Sequence, residues 1–200
     1  EKQIDGTINF YKGSGVLIRQ NVILTAGHNF FYLKDVTMSE AIFSTNPAWG
    51  KDSHTQKRIY VEKVIICPGF SQGSLGTQND IALVFLRERA PSDYRPLPIE
   101  LRGENAPDLF EEGLLMGYGQ STENSKGPLS DFHLRRLSLK FARWDDSTIN
   151  DSQKLWFSNQ EGSIAAGDSG GPVLFKRNTD EYRIFGIGIH RRYDACVKEN

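Results

Sequence analysis

The chain has 200 residues, 38% hydrophobic and 24% charged, with a formal net charge of −1. That length holds one large domain or two small lobes with real cores, and the composition excludes a largely disordered chain. The balanced charge argues against a nucleic-acid partner, and Arg135-Arg136 and Arg191-Arg192 read as solvated surface.

No apolar run is long enough for a membrane-spanning helix, so no membrane span is expected. Glu1 opens no apolar leader, so any targeting segment is expected to be removed or to lie outside the chain. Cys67 and Cys196 are too few for a disulfide scaffold and fit no zinc spacing; a single bridge and two free thiols are equally open. No metal and no organic cofactor are expected.

In chain order, short apolar runs at Val16–Ile18, Val22–Leu24, Val61–Ile66, Ile81–Leu86, Gly113–Met116, Leu137–Phe141, Pro172–Phe175 and Tyr182–Ile189 predict strands. Gly13–Gly15, Pro68-Gly69, Gly76–Asn79, Gly117–Gly119 and Lys176–Asp180 predict turns. Helical periodicity over several turns is absent. The pattern predicts a mostly antiparallel all-β protein, a barrel or a sandwich. Pro91–Glu112, rich in proline and charge, reads as a connection between two lobes. A crevice between lobes is where such a protein places a site.

The sharpest local signal is Gly167-Asp168-Ser169-Gly170-Gly171-Pro172. A serine hydroxyl is a weak nucleophile until a base takes its proton, and it must stand on a tight turn with backbone N–H groups free. Flanking glycines permit the dihedrals this needs. The N–H groups of Gly167 and Ser169 are the candidate oxyanion hole, in which each donor stabilises the transition state by roughly 3–4 kcal/mol.

The base must be one of four histidines. His28 follows an apolar strand and two small residues, so it can project into a cleft; His54 and His133 read as surface. The third member must be a carboxylate that fixes the imidazole tautomer. Asp80 stands at the head of the apolar run Ile81-Ala82-Leu83. A buried carboxylate without a partner is costly, and His28 would supply one. The order His, Asp, Ser and the missing helix–strand alternation exclude an α/β-hydrolase.

Thr25–His28, Asn79–Leu83 and Gly167–Pro172 resemble the three signature blocks of the trypsin–chymotrypsin family of serine endopeptidases. Gly13–Ile18, Gly117-Tyr118-Gly119 and Phe185–Ile189 resemble further strands and turns of the same family. The resemblance implies two six-stranded antiparallel β-barrels with the active site in the cleft between them. On that basis residues 1–98 form the first lobe with His28 and Asp80, 99–112 the connection, and 113–200 the second lobe with Ser169. The family commonly matures by cleavage, after which a new amino terminus pairs with the aspartate before the serine. Asp168 is that aspartate, and Glu1 is not such a terminus. Either a segment is missing or Asp168 is satisfied in another way. The carboxyl end also looks short beside the family's. The disulfides that usually flank the histidine and the serine are absent, which points to a bacterial or otherwise cysteine-poor member.

The same resemblance puts Ser163 at the base of the primary specificity pocket, where a missing negative charge argues against a preference for Arg or Lys. His190 is a second candidate determinant that would face an acidic side chain. Acidic and neutral or apolar preferences both stay open. The resemblance implies protein or peptide substrates, a protein inhibitor as a further partner, and a secreted or periplasmic location. The rival expectation is a latent or silent protein on the same fold, acting by binding or requiring proteolytic activation.

Overall fold

A computed structural model describes residues 12–43, 57–73, 76–100, 107–119, 134–145, 154–158, 164–176 and 181–189. These residues build two five-stranded sheets and a two-stranded hairpin, and every pairing between strands is antiparallel. The first sheet contains β1 (Val16–Arg19), β2 (Val22–Thr25), β3 (Glu40–Phe43), β4 (Lys57–Ile66) and β7 (Ala82–Leu86), in the order β1-β2-β7-β4-β3. The hairpin pairs β5 (Ser71–Gly73) with β6 (Gly76–Gln78). The second sheet contains β8 (Glu112–Gly117), β9 (Arg135–Asp145), β10 (Lys154–Ser158), β11 (Pro172–Lys176) and β12 (Tyr182–Ile187), in the order β10-β9-β8-β11-β12. Among the described residues the only helical segments are short 3₁₀ turns at Gly27–Asn29 and Val36–Met38.

Period-two alternation decides which way each strand faces. In β7, Ala82, Val84 and Leu86 are buried; in β4, Ile59 and Val61 are, with Lys57, Arg58, Tyr60, Glu62 and Lys63 outside. Ile59, Val61, Val84 and Leu86, with Leu17, Phe43 and Ala90, fill the first core. The second core is Leu115, Leu139, Phe141, Val173 and Phe175. Phe175 is fully buried, and Gly113 lies against it because a β-carbon there would meet the ring at 2.8 Å.

A third cluster joins the sheets: Val16 and Leu24 pack with Leu174 and Ile184. That is why β11 is buried from Pro172 to Phe175 on both faces. Each such side chain contributes about 1.5–3 kcal/mol when removed from water. The chain crosses between the sheets in the same layer. Leu97 N–H donates to Leu17 O at 2.9 Å, Ile184 N–H to Pro98 O at 2.9 Å, and Glu100 N–H to Ile184 O at 2.8 Å.

Four strands depart from the sequence expectation, Ser71–Gly73 among them. Gly76–Gln78, read as part of a turn, pairs with Ser71–Gly73. The segment carries no apolar side chain, and its ladder bonds alone define it. Glu40–Phe43 and Lys154–Ser158, unassigned from sequence, lie at the outer edges of their sheets.

Candidate active site

β2 delivers the chain to the site. Ala26, wholly buried and extended at φ −79° and ψ 140°, leads into the 3₁₀ turn Gly27–Asn29, which Phe30 N–H closes on Gly27 O at 3.0 Å. Gly27 must be small, because a β-carbon there would press on Ile66 at 3.1 Å and Asp80 Oδ1 at 3.4 Å. His28 is therefore presented at the strand end, above the carboxylate.

Asp80 lies two residues before β7 and follows Asn79, which takes a left-handed φ of 49°. Its carboxylate takes both polar hydrogens that His28 offers: backbone N–H to Oδ1 at 2.8 Å and ring Nδ1 to Oδ2 at 2.7 Å. An ionised carboxylate only accepts, so Nδ1 carries the ring proton and Nε2 is left as the acceptor. The side chains differ in access: 24% of His28 is exposed against 1% of Asp80. Substrate can therefore reach the ring and not the carboxylate. Burial alone would push the Asp80 carboxyl up, but the His28 ring N–H, its backbone N–H and its charge outweigh that. The net position lies below the ordinary 3.8, so Asp80 is ionised at neutral pH.

The Ser169 turn precedes β11. Gly167 and Gly170 take φ of 96° and 85°, a region where other residues are strained. Asp168 O accepts Gly171 N–H at 2.8 Å, and Gly170 N–H donates to Gly188 O at 2.6 Å. The Asp168 carboxylate accepts Gly119 N–H at 2.7 Å on Oδ1 and Ala165 N–H at 2.9 Å on Oδ2. Asp168 thus has backbone donors on both carboxylate oxygens. Gly117 and Gly119 make room for it, since a β-carbon on either would strike that carboxylate.

Ser169 is half-buried and lies beside the His28 turn: its carbonyl accepts from Ser14 N–H at 2.8 Å and from Asn29 Nδ2 at 3.0 Å. These contacts run through the main chain of Ser169 and not through its hydroxyl. The bond from a serine nucleophile to its base often tightens only when substrate is bound. Ser163 and His190, the expected specificity positions, lie outside the described residues, as does Cys196. Cys67 is a free thiol.

Three residues of the site were not singled out from sequence. Ser14, Thr25 and Asn29 connect the histidine and serine turns through buried and part-buried polar bonds. Gly13–Gly15 showed a turn, but nothing local marks Ser14 or Asn29 as reaching the Ser169 loop.

Comparison with known proteins places this geometry. The family described as Trypsin matches residues 3–200. Urokinase-type plasminogen activator of Gallus gallus is 26% identical over 230 aligned residues, which cover 100% of this chain and 48% of that protein. Chymotrypsin-like elastase family member 1 of Felis catus is 23% identical over 190, covering 89% of this chain and 67% of that protein. The chain thus spans about half the length of the first relative. A family match over nearly the whole chain, with two antiparallel sheets meeting at a histidine turn and a glycine-bracketed serine, has one reading: the chain belongs to the trypsin family, with the fold of that family and a serine protease-like character.

Proposed function

We propose that the protein is a serine endopeptidase that works through an acyl-enzyme on Ser169. The observation that supports this best is the His28–Asp80 pair, in which a buried ionised carboxylate holds Nδ1 and leaves Nε2 on an accessible ring. His28 Nε2 takes the Ser169 hydroxyl proton as Oγ attacks the scissile carbonyl carbon. The oxygen that gains charge is met by the N–H groups of Gly167 and Ser169. His28 returns the proton to the leaving amine as the C–N bond breaks. Water then attacks the acyl carbon, giving a proton to His28, which passes it to Ser169 Oγ as the C–Oγ bond breaks and the acid leaves. Asp80 orients the ring and stabilises the imidazolium throughout.

The substrates are proteins or peptides, and the enzyme acts outside the cytoplasm, as trypsin-family peptidases commonly do. The names of the relatives describe activities of those proteins. For this chain, Ser163 argues against a basic residue before the scissile bond, and an acidic residue facing His190 and a neutral or apolar one both stay open.

The test is mass spectrometry after incubation with a fluorophosphonate probe. A stoichiometric adduct on Ser169, abolished by His28→Ala, is the expected result. A folded chain that takes no adduct overturns the reading in favour of a latent or silent protein.

A further inference from the structure

The loop that carries Ser169 turns two carbonyls toward the first sheet. Gly167 O accepts Ser14 Oγ–H at 2.7 Å. Ser169 O accepts Ser14 N–H at 2.8 Å and Asn29 Nδ2 at 3.0 Å. Asn29 Nδ2 also donates to Thr25 Oγ1 at 3.1 Å, and that hydroxyl donates to Ser14 O at 2.7 Å. Ser14 Oγ is occupied on its other side by Tyr118 N–H at 2.9 Å. The result is a closed ring of bonds in which both hydrogens of the Asn29 amide and both roles of the Thr25 hydroxyl are used. Ser14 and Thr25 are buried and their hydroxyl bonds are shielded from water, while the two Asn29 bonds are part-buried.

The surrounding glycines are shaped to this ring. A β-carbon on Gly13 would strike the Asn29 carboxamide, and one on Gly170 would strike Thr25 Oγ1 and Ser14 O. Asn29 is also the next residue after His28, inside the same 3₁₀ turn. One carboxamide therefore reports the place of the base to the loop of the nucleophile.

We propose that Asn29 is a positioning residue for the peptidase reaction, which couples the His28 turn to the Ser169 carbonyl, while Ser14 Oγ sets the Gly167 side of the oxyanion turn. The proposal rests on the peptidase reading above. Asn29 touches no reacting atom; it acts through the two turns that do. Loss of its donors leaves the substrate cleft in place and loosens the distance between base and nucleophile. The loss should therefore fall on kcat and not on KM.

The experiment uses the full chain with Asn29→Asp, Asn29→Ala and Gly13→Ala, a chromogenic peptide substrate, and the rate of fluorophosphonate labelling. Asn29→Asp keeps the shape and replaces donors by acceptors that face carbonyl oxygen. At pH 8 its kcat should fall by about 10- to 100-fold, the scale of an ångström's misplacement in a catalytic pair, with labelling slowed in parallel and KM little changed. As the pH is lowered the introduced acid protonates and regains one hydrogen for Ser169 O. The ratio of wild-type to Asn29→Asp activity should then narrow, while the ratio for Asn29→Ala stays flat. Gly13→Ala should mimic Asn29→Ala, and the double variant should be no worse than either alone.

Wild-type kcat in Asn29→Asp and Asn29→Ala would overturn the proposal. So would equal losses in every variant, tracking the thermal midpoint with no pH dependence of the ratio, because that is what a purely structural amide would give. If Asn29→Ala does not fold, Asn29→Asp and Gly13→Ala decide. A wild-type chain that takes no probe overturns the peptidase reading itself, and needs no variant to be recognised.

Discussion

The two halves of the site are held by different means. In the first lobe, His28 and Asp80 are fixed by their own groups: a ring nitrogen and a backbone N–H meet a buried carboxylate. In the second, the Ser169 turn is fixed by its surroundings: two positive-φ glycines, a carboxylate on backbone donors, and carbonyls that accept from the other lobe. The first half is a pair of functional groups and should fail through chemistry. The second is a backbone shape kept by spaces too small for a β-carbon and should fail through geometry. Substitutions can separate these two kinds of failure.

The largest effect belongs to the first half. Asp80→Asn keeps the shape and removes the charge, and an amide facing Nδ1 favours the wrong ring tautomer. The kcat should fall by about 10⁴-fold with the fold intact, measured by steady-state hydrolysis and circular dichroism. A loss of folding with a small change in kcat would mean that the pair is structural. Gly170→Ala asks the same of the second half. Its φ of 85° and the Thr25 hydroxyl and Ser14 carbonyl beside it leave no room. The cost in unfolding free energy should be roughly 3 kcal/mol or more, by urea denaturation. Gly69→Ala is the control: its φ is 81°, yet only the Asn79 amide comes near, at 3.2 Å. It should cost about 1–2 kcal/mol, since only the backbone term applies.

The same contrast explains what could be read from sequence. Asp80 was legible because a charge at the head of an apolar strand demands a partner, and His28 because it follows small residues at a strand end. Ser169 was legible through its glycines. Asn29 was not, because its role lies in a bond to a residue 140 positions away and in a space left by Gly13. Gly117–Gly119 showed as a turn, while its second use, a cradle for the Asp168 carboxylate, depends on how two segments meet. The mostly antiparallel all-β class followed from strand spacing, and the trypsin fold from family resemblance. The polar hairpin of Ser71–Gly73 with Gly76–Gln78 stayed hidden because no apolar pattern marks it, and the edge strands Glu40–Phe43 and Lys154–Ser158 offer only three consecutive apolar residues each.

A smaller effect follows from the Asp80 carboxyl, which sits below its ordinary 3.8 in the folded chain. A lowered folded value means that the unfolded chain binds the proton more readily. The pair thus stabilises the fold fully above pH 3.8 and loses this contribution as the pH drops through the lower folded value. Urea midpoints of the wild type should fall more between pH 5 and pH 3 than those of Asp80→Asn. Parallel profiles would remove Asp80 from the acid response.

The smallest effect sharpens the comparison from outside the site. Lys57 Nζ and Glu88 Oε2 also form a close pair, at 3.3 Å, but their side chains are 51% and 68% exposed. His28 and Asp80, at 2.7 Å, are 24% and 1% exposed. Water and salt screen the first pair, and two long side chains lose rotamer freedom to form it. Glu88→Gln should therefore change the unfolding free energy by less than about 1 kcal/mol and leave kcat unchanged. Raising the salt should erase even that difference, whereas the activity lost in Asp80→Asn should persist at high salt. A carboxylate removed from water acts through its fixed hydrogen bonds, and added ions do not reach it. A salt-sensitive Asp80→Asn defect would show that the site is wetter than the burial of Asp80 implies.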